Sequence, residues 1–409
     1  MRLFQVFFFF AWIPAIAGCA GMNAPTQQNP VPAASQVPEL LYVGTSNPGL
    51  LTYKIGPDGV LQATPTSAAS PPLCYPTLEP VPRRIFVVSV SCSNPTGPLE
   101  FRRLDLDSAG NIASATGPLS LGLDFPSSMN AVTNFLPADT GKFAYTWSVG
   151  GDSHEHISLI QIGAAGELTL RPGLGLSWPI MASDSCGESH QPRSVVTTQE
   201  GSFLIVLDTF WCRGAEPIVN YFVYQVDSET GAIENQVGEV AIGETSSGPF
   251  AIHNGALMIL GELSDGVHGD LRLFHIGPDG VRPLQQCLAD QPACAHPHDA
   301  VFHPSGKWVF VADETARGIW TIPVTANSLS ADKTSFLPTN ISFAGGFAFS
   351  ADGRSVYLRQ LHLPTEKWLI LGFRVNDSTG VLTPIAGSPW SPENIDMITA
   401  ITVVVGTNR

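Results

Sequence analysis

Charge is scarce in this 409-residue chain: only 13% of residues are Asp, Glu, Lys or Arg, against roughly 25% in ordinary soluble domains. Basic residues are scarcer still, with Lys+Arg 20 against Asp+Glu 35, a net charge of −15 and no Lys/Arg cluster. Neutralising a phosphate backbone takes grouped cations, so nucleic acid is not an expected partner. No G-x-x-x-x-G-K-[ST], no G-x-S-x-G and no G-x-G-x-x-G occurs, which leaves phosphate-loop, α/β-hydrolase and Rossmann chemistry without support. Helical periodicity is missing too. What the chain has instead is Gly 39 and Pro 34, the supply of tight turns that short apolar strands need.

The N-terminus reads as an address. Arg2 precedes an apolar run from Leu3 to Gly18, interrupted only by Gln5, too short for the roughly 20 residues of a bilayer span. The run ends in Ile16-Ala17-Gly18-Cys19, which resembles the lipobox of bacterial lipoproteins. That resemblance implies a signal peptide over 1–18, a lipid on Cys19 and a membrane partner through it. It places the protein in the bacterial cell envelope, and Ala20 in place of Asp favours the outer membrane, facing the periplasm or the surface. The competing reading is an ordinary secretory signal with an incidental Cys. Residues 19–38, rich in Ala, Pro, Gln and Asn, have the composition of a solvated tether.

Six further cysteines, Cys74, Cys92, Cys186, Cys212, Cys287 and Cys294, make an even count in an exported chain, consistent with three disulfides. Pairing neighbours (Cys74 with Cys92, Cys186 with Cys212, Cys287 with Cys294) closes short loops.

The rest, 39–409, repeats. Ala300-Val301-Phe302-His303-Pro304-Ser305-Gly306-Lys307-Trp308-Val309-Phe310-Val311 aligns residue for residue with Phe347-Ala348-Phe349-Ser350-Ala351-Asp352-Gly353-Arg354-Ser355-Val356-Tyr357-Leu358. Earlier copies centre on Leu40 to Gly44, Ile85 to Val90, Phe143 to Trp147, Phe203 to Asp208 and Leu257 to Glu262, a period of about 50 residues. Closing turns recur at Gly56-Pro57-Asp58-Gly59, Asp227 to Gly231, Gly277-Pro278-Asp279-Gly280 and Asp377 to Gly380. Four short strands per copy predict an all-β, seven-bladed β-propeller of four-stranded antiparallel blades, in which radial repetition protects strand edges. The last strand, Ala400 to Gly406, has no partner within its own copy and is placed to complete the first blade. Two β-sandwiches are the rival architecture, but they need no constant period.

Register locates a candidate site. Positions eight before and seven after the turn Gly of each copy fall near one rim. Gly201 gives Arg193 and Asp208; Gly255 gives Glu262; Gly306 gives His298 and Asp313; Gly353 gives Gly345 and Gln360. A mouth with convergent His, Arg and carboxylates suits a small ligand. Opening a lactone there needs a base to activate water and a cation to hold the oxyanion, roles open to His298 or Glu262 and to Arg193; Asp208, Asp313 and Gln360 are candidate ligand-binding groups.

Leu41-Tyr42-Val43-Gly44-Thr45, His296-Pro297-His298 leading to Phe302-His303-Pro304-Ser305-Gly306, and Phe373-Arg374-Val375 before Thr379-Gly380-Val381-Leu382-Thr383 resemble the seven-bladed lactonase-like propellers. These include a bacterial type of 6-phosphogluconolactonase and a fungal carboxymuconate-lactonizing enzyme. The resemblance implies a monomeric lactone hydrolase without a cofactor. It also implies an Arg at the early position of the blade after the His blade, and a Glu after its returning strand. Here those positions hold Gly345 and Leu361, with Gln360 beside it. Taking Arg193 as the family Arg leaves Asp208 or Thr209 at the Glu position and Asn130 near the His position. Both alignments break the full set, so a non-catalytic propeller binding a small ligand or a protein partner stands as the alternative.

Weaker patterns are better read structurally. Asp152-Ser153-His154-Glu155-His156 puts two imidazoles on one strand face, but no third and fourth ligand has metal-site spacing. Asp184, Cys186, Glu188 and His190 read as loop residues. Trp308, Trp320 and Trp368 read as filling between blades, with Trp211 the more exposed.

Overall fold

The structure is a computed structural model that describes residues 38–45, 49–62, 73–81, 83–91, 98–124, 136–137, 141–149, 155–177, 189–197, 202–211, 218–244, 250–253, 256–262, 269–277, 279–287, 297–313, 315–325, 328–330, 334–339, 344–362, 365–393, 395 and 397–406. Cys19 and the leader lie outside them, as do Cys92, Cys186, Cys212, Cys294, Asn130 and His154. Residues 37–409 form one compact unit. Among the described residues every regular element is a strand, and no helix is long and apolar enough to cross a membrane.

The strands fall into six antiparallel sheets, the blades of a β-propeller. Sheet 1 combines Glu39–Thr45, Leu50–Ile55 and Leu61–Gln62 with Ile398–Val405. The C-terminal strand is its innermost, pairing Glu39 with Val405 and Tyr42 with Thr402. The expected closure of the first blade by the last strand is therefore observed.

Sheet 2 has ten strands in two halves. The first half starts with Leu73–Val81, Arg84–Ser91 and Pro98–Leu106; the second is centred on Phe143–Val149 and Glu155–Ile162. A single residue pair, Val149 with Asp124, joins the halves. Sheets 3 to 6 begin with the inner strands Ser189–Thr197, Phe250–His253, Pro297–Phe302 and Ala344–Phe349 and run outward in chain order.

Burial explains the sequence pattern across a blade. Second strands are enclosed by a neighbouring sheet on each face, so Trp308–Asp313 and Glu39–Thr45 are almost continuously buried and read as unbroken apolar runs. Outermost strands face water, as in Leu382–Pro384 and Ile112–Ala115, and there the hydrophobicity fades. The apolar clusters lie between sheets: Phe310, Val356, Leu358 and Phe373 knit sheets 5 and 6, while Leu41, Val43, Tyr357 and Ile370 knit sheets 6 and 1.

Polar latches repeat around the propeller. A second-strand tyrosine, fully buried, donates its hydroxyl to the carbonyl of a glycine in the next blade's outer turn. Tyr42 bonds Gly110 O at 2.5 Å, Tyr145 bonds Gly231 O at 2.6 Å and Tyr357 bonds Gly59 O at 2.7 Å. These glycines have φ of 83°, 77° and 68°, a conformation open to Gly at little cost, and a Cβ at Gly231 would strike the Phe143 ring at 2.7 Å. Each tyrosine satisfies its polar tip while burying its ring. Between the two halves of sheet 2 arginines do the same work: Arg84 and Arg103, both held by Asp105, donate to Ala164 O and Ala165 O.

Candidate functional site

Five inner strands share one irregularity, which in sheets 2, 3, 5 and 6 lies away from the hairpin that joins the inner strand to the second. The register slips so that extra residues stand against the partner strand; in sheet 1 that partner is joined by no hairpin, because the pair brings together the first and last strands. These are Thr399 in sheet 1, Tyr75 and Pro76 in sheet 2, Arg193 in sheet 3, His298 in sheet 5 and Gly346 in sheet 6. A β-bulge of this kind bends the strand and re-aims a side chain. Arg193 and His298, which sequence counting selected, are thus the bulge residues of their strands.

Hydrogen bonds link successive bulges. Gly346 N donates to Asp299 Oδ2 at 2.5 Å, and Ala300 N donates to Oδ1 at 2.8 Å. From sheet 6, Arg359 Nη1 donates to Ile398 O at 2.9 Å and to Thr399 O. Thr399 Oγ1 in turn donates to Pro76 O at 2.8 Å. A polar belt therefore runs from sheet 5 through sheets 6 and 1 to sheet 2.

The residue paired just ahead of the bulge is Asp208 in sheet 3, opposite Pro192, and Asp313 in sheet 5, opposite Pro297. In sheet 6 it is Arg359, opposite Gly345, while Gln360 stands one residue further on, opposite Ala344. Counting from the hairpin glycine slips by one there, because the sheet 6 bulge lies one residue nearer its hairpin. Asp313 is 1% exposed and fastens structure: Ala316 N donates to Oδ1 at 2.8 Å, and Trp320 Nε1 donates to Oδ2 at 3.1 Å. Gln360 is buried. Glu262 ends the Ala256–Glu262 strand opposite Gly269. For Arg193, Asp208, Glu262 and His298 the structure describes the backbone position.

Of the six cysteines after Cys19, Cys74 and Cys287 lie in strands, opposite Val90 and Leu271, and the other four lie outside the described residues. His156 pairs with Ser148 and Ser177. Among the described residues no group of three His, Cys, Asp or Glu is placed to hold a metal. Two described cavities lie off the bulges. One, about 540 Å³, runs between outer strands along Glu239, Arg272 and Gln285; the other, about 270 Å³, adjoins Trp368 and Glu393.

Two charged groups escaped the sequence reading. Arg359 packs its guanidinium 5.8 Å from the Trp368 ring centre; burial lowers its pKa, and the Asp299 charge pulls the other way. Glu79 lies in the inner strand Leu73–Val81, opposite Phe86. It shares a face with the apolar cluster of Phe86, Val88, Ala144 and Ile160, and burial pushes its carboxyl up to about 8. The signal that would have found Glu79 is a lone carboxylate in an apolar strand. The counting rule skipped it because that hairpin has no glycine: Arg83 takes the left-handed position, at φ 64°.

No family model matches the chain, and no curated protein is similar to it. Solved structures do match in fold. A candidate 6-phosphogluconolactonase from Bacteroides fragilis superposes with a TM-score of 0.62 at 16% identity, over 91% of this chain and 99% of that one. A second, from Bacteroides uniformis, gives 0.58 at 18% identity, over 90% and 100%.

Proposed function

We propose that the chain is a seven-bladed, lipid-anchored envelope propeller that binds a sugar or aromatic lactone at the ring of bulges and hydrolyses it. The seven-blade reading takes the two halves of sheet 2 separately; in its support, one residue pair joins them and arginine latches cross between them as other latches cross between sheets. Cys19 carries the lipid, the six remaining cysteines pair as neighbours in sequence, and the outer membrane is the location.

The observation that carries the reading is the equivalence of Arg193 and His298 as bulge residues of inner strands, a kind of position that re-aims a strand's side chains. In the reaction His298 takes a proton from water as its oxygen attacks the lactone carbonyl, and Arg193 holds the oxyanion. The ring C–O bond then breaks, the leaving oxygen takes the proton back from the imidazolium, and the product is an open hydroxy acid. Glu262 is the alternative base; Asp208, Asp313 and Gln360 shape the walls. The resemblance to 6-phosphogluconolactonases supports the lactone class. A non-catalytic binding module is the second reading, favoured by Gly345 in sheet 6, where the lactonase pattern has an arginine.

The test is a panel of sugar and aromatic lactones against the purified full chain, with a pH-indicator readout. Turnover that falls about a hundredfold or more in folded His298→Ala supports hydrolysis. A flat panel with the wild-type protein removes it and leaves ligand binding.

A further inference from the structure

We propose that the Nε–Nη2 edge of Arg359 docks an oxyanion, a carboxylate or a phosphate, carried by a small ligand that enters at the ring of bulges. The inference concerns binding and is independent of lactone turnover.

Three observations lead there. First, Arg359 spends one nitrogen: Nη1 donates to the carbonyls of Ile398 and Thr399, while among the described residues Nε and Nη2 bond no acceptor and no carboxylate lies within ion-pair distance. The nearest charge acting on it is Asp299, whose two oxygens already accept Gly346 N and Ala300 N. A cation held away from water without a paired anion is costly, and a ligand oxyanion relieves that cost.

Second, the unspent edge has the right shape. Nε–H and one Nη2–H point side by side, the fork that takes two oxygens of a carboxylate or phosphate at once. Nη1, anchored on the backbone, and Trp368 beside the guanidinium fix its plane, so little freedom remains to be lost on binding.

Third, the residues beside the arginine are glycines. Gly345 is the direct cross-strand partner of Arg359, so a side chain at 345 would stand beside the arginine on one face. A Cβ there would come 3.3 Å from Asp299 Oδ2, and a Cβ on Gly346 would come 3.4 Å from Arg359 Nε. Two successive residues without side chains thus border a guanidinium that forms no ion pair among the described residues.

Calorimetric titration of the purified full chain with inorganic phosphate, and separately with D-gluconate, tests the inference. Saturable binding of either anion is expected, with the anion that binds identifying the ligand class, and intrinsic fluorescence should change in parallel because Trp368 touches the cation. Arg359→Lys keeps the charge but loses the fork, and should weaken binding by about tenfold or more. Gly345→Val leaves Arg359 and its carbonyl bonds in place, puts a side chain beside the arginine and should weaken binding equally. Failure of the wild-type protein to bind either anion overturns the proposal. So does unchanged binding in folded Gly345→Val, which keeps the test decisive if Arg359→Lys does not fold.

Discussion

Replacing Glu79 by Gln should make the protein's stability less sensitive to pH. The wild-type carboxyl has an ordinary value of 4.5 and is raised to about 8 by burial, so the folded state prefers the protonated form. Its contribution to stability is complete below 4.5 and is lost as pH climbs through about 8. Each pH unit in that window removes about 1.4 kcal/mol from the unfolding free energy. About 3 kcal/mol therefore disappears between pH 4.5 and 7, and about 4 kcal/mol by pH 8, where the folded carboxyl is itself half ionised. Glutamine has the same shape and does not titrate. Urea unfolding followed by circular dichroism, at pH steps from 4.5 to 9, should show the two proteins alike at the acid end and E79Q more stable by several kcal/mol at pH 8. Every other titrating group is common to both proteins and cancels in the difference. Parallel stability curves would refute the reasoning, because they would mean that the carboxyl ionises in the folded protein as it does in water.

Tyr145→Phe removes the hydroxyl bonded to Gly231 O and strands a buried carbonyl, so the urea midpoint should fall by the equivalent of about 1–2 kcal/mol. Tyr42→Phe and Tyr357→Phe break separate latches and should add to it nearly independently; a change below about 0.3 kcal/mol for all three would show that the latches contribute nothing. Deleting 398–409 uncovers the inner edge of the Glu39–Thr45 strand and the apolar side chains behind it. The truncated chain should lose its cooperative thermal transition and elute as aggregate in size-exclusion chromatography; a sharp, unshifted melt would contradict the closure.

The repeat was legible because the hairpins announce it: His303-Pro304-Ser305-Gly306 and Ser350-Ala351-Asp352-Gly353 fill equivalent turns, with Gly306 and Gly353 at φ of 69° and 70°. Fully buried second strands made the apolar runs long enough to count. The bulges were not legible, since a register slip depends on how two strands settle against each other and carries no residue signature of its own. For that reason counting found Arg193 and His298, where the spacing is shared, and missed Arg359, where it is one residue shorter. Glu79 was hidden by a hairpin that turns on Arg83 instead of glycine. The tyrosine latches were equally silent, since each joins residues far apart in the chain, such as Tyr42 with Gly110.

Sheet 1 pairs strands far apart in the chain, Glu39–Thr45 and Ile398–Val405, and this bears on how the fold is assembled. A chain made from its N-terminus can complete its middle sheets while Glu39–Thr45 still lacks an inner neighbour. When Ile398–Val405 finally emerges, the intervening sheets have already curved round, so the last step is a docking over a short gap and not a search across the whole contour. The entropy of closing that loop is spread over the earlier sheets, and the slowest contacts to form join the two most distant segments. Of the described strands, the last to be made is the one that turns an open arc into a ring.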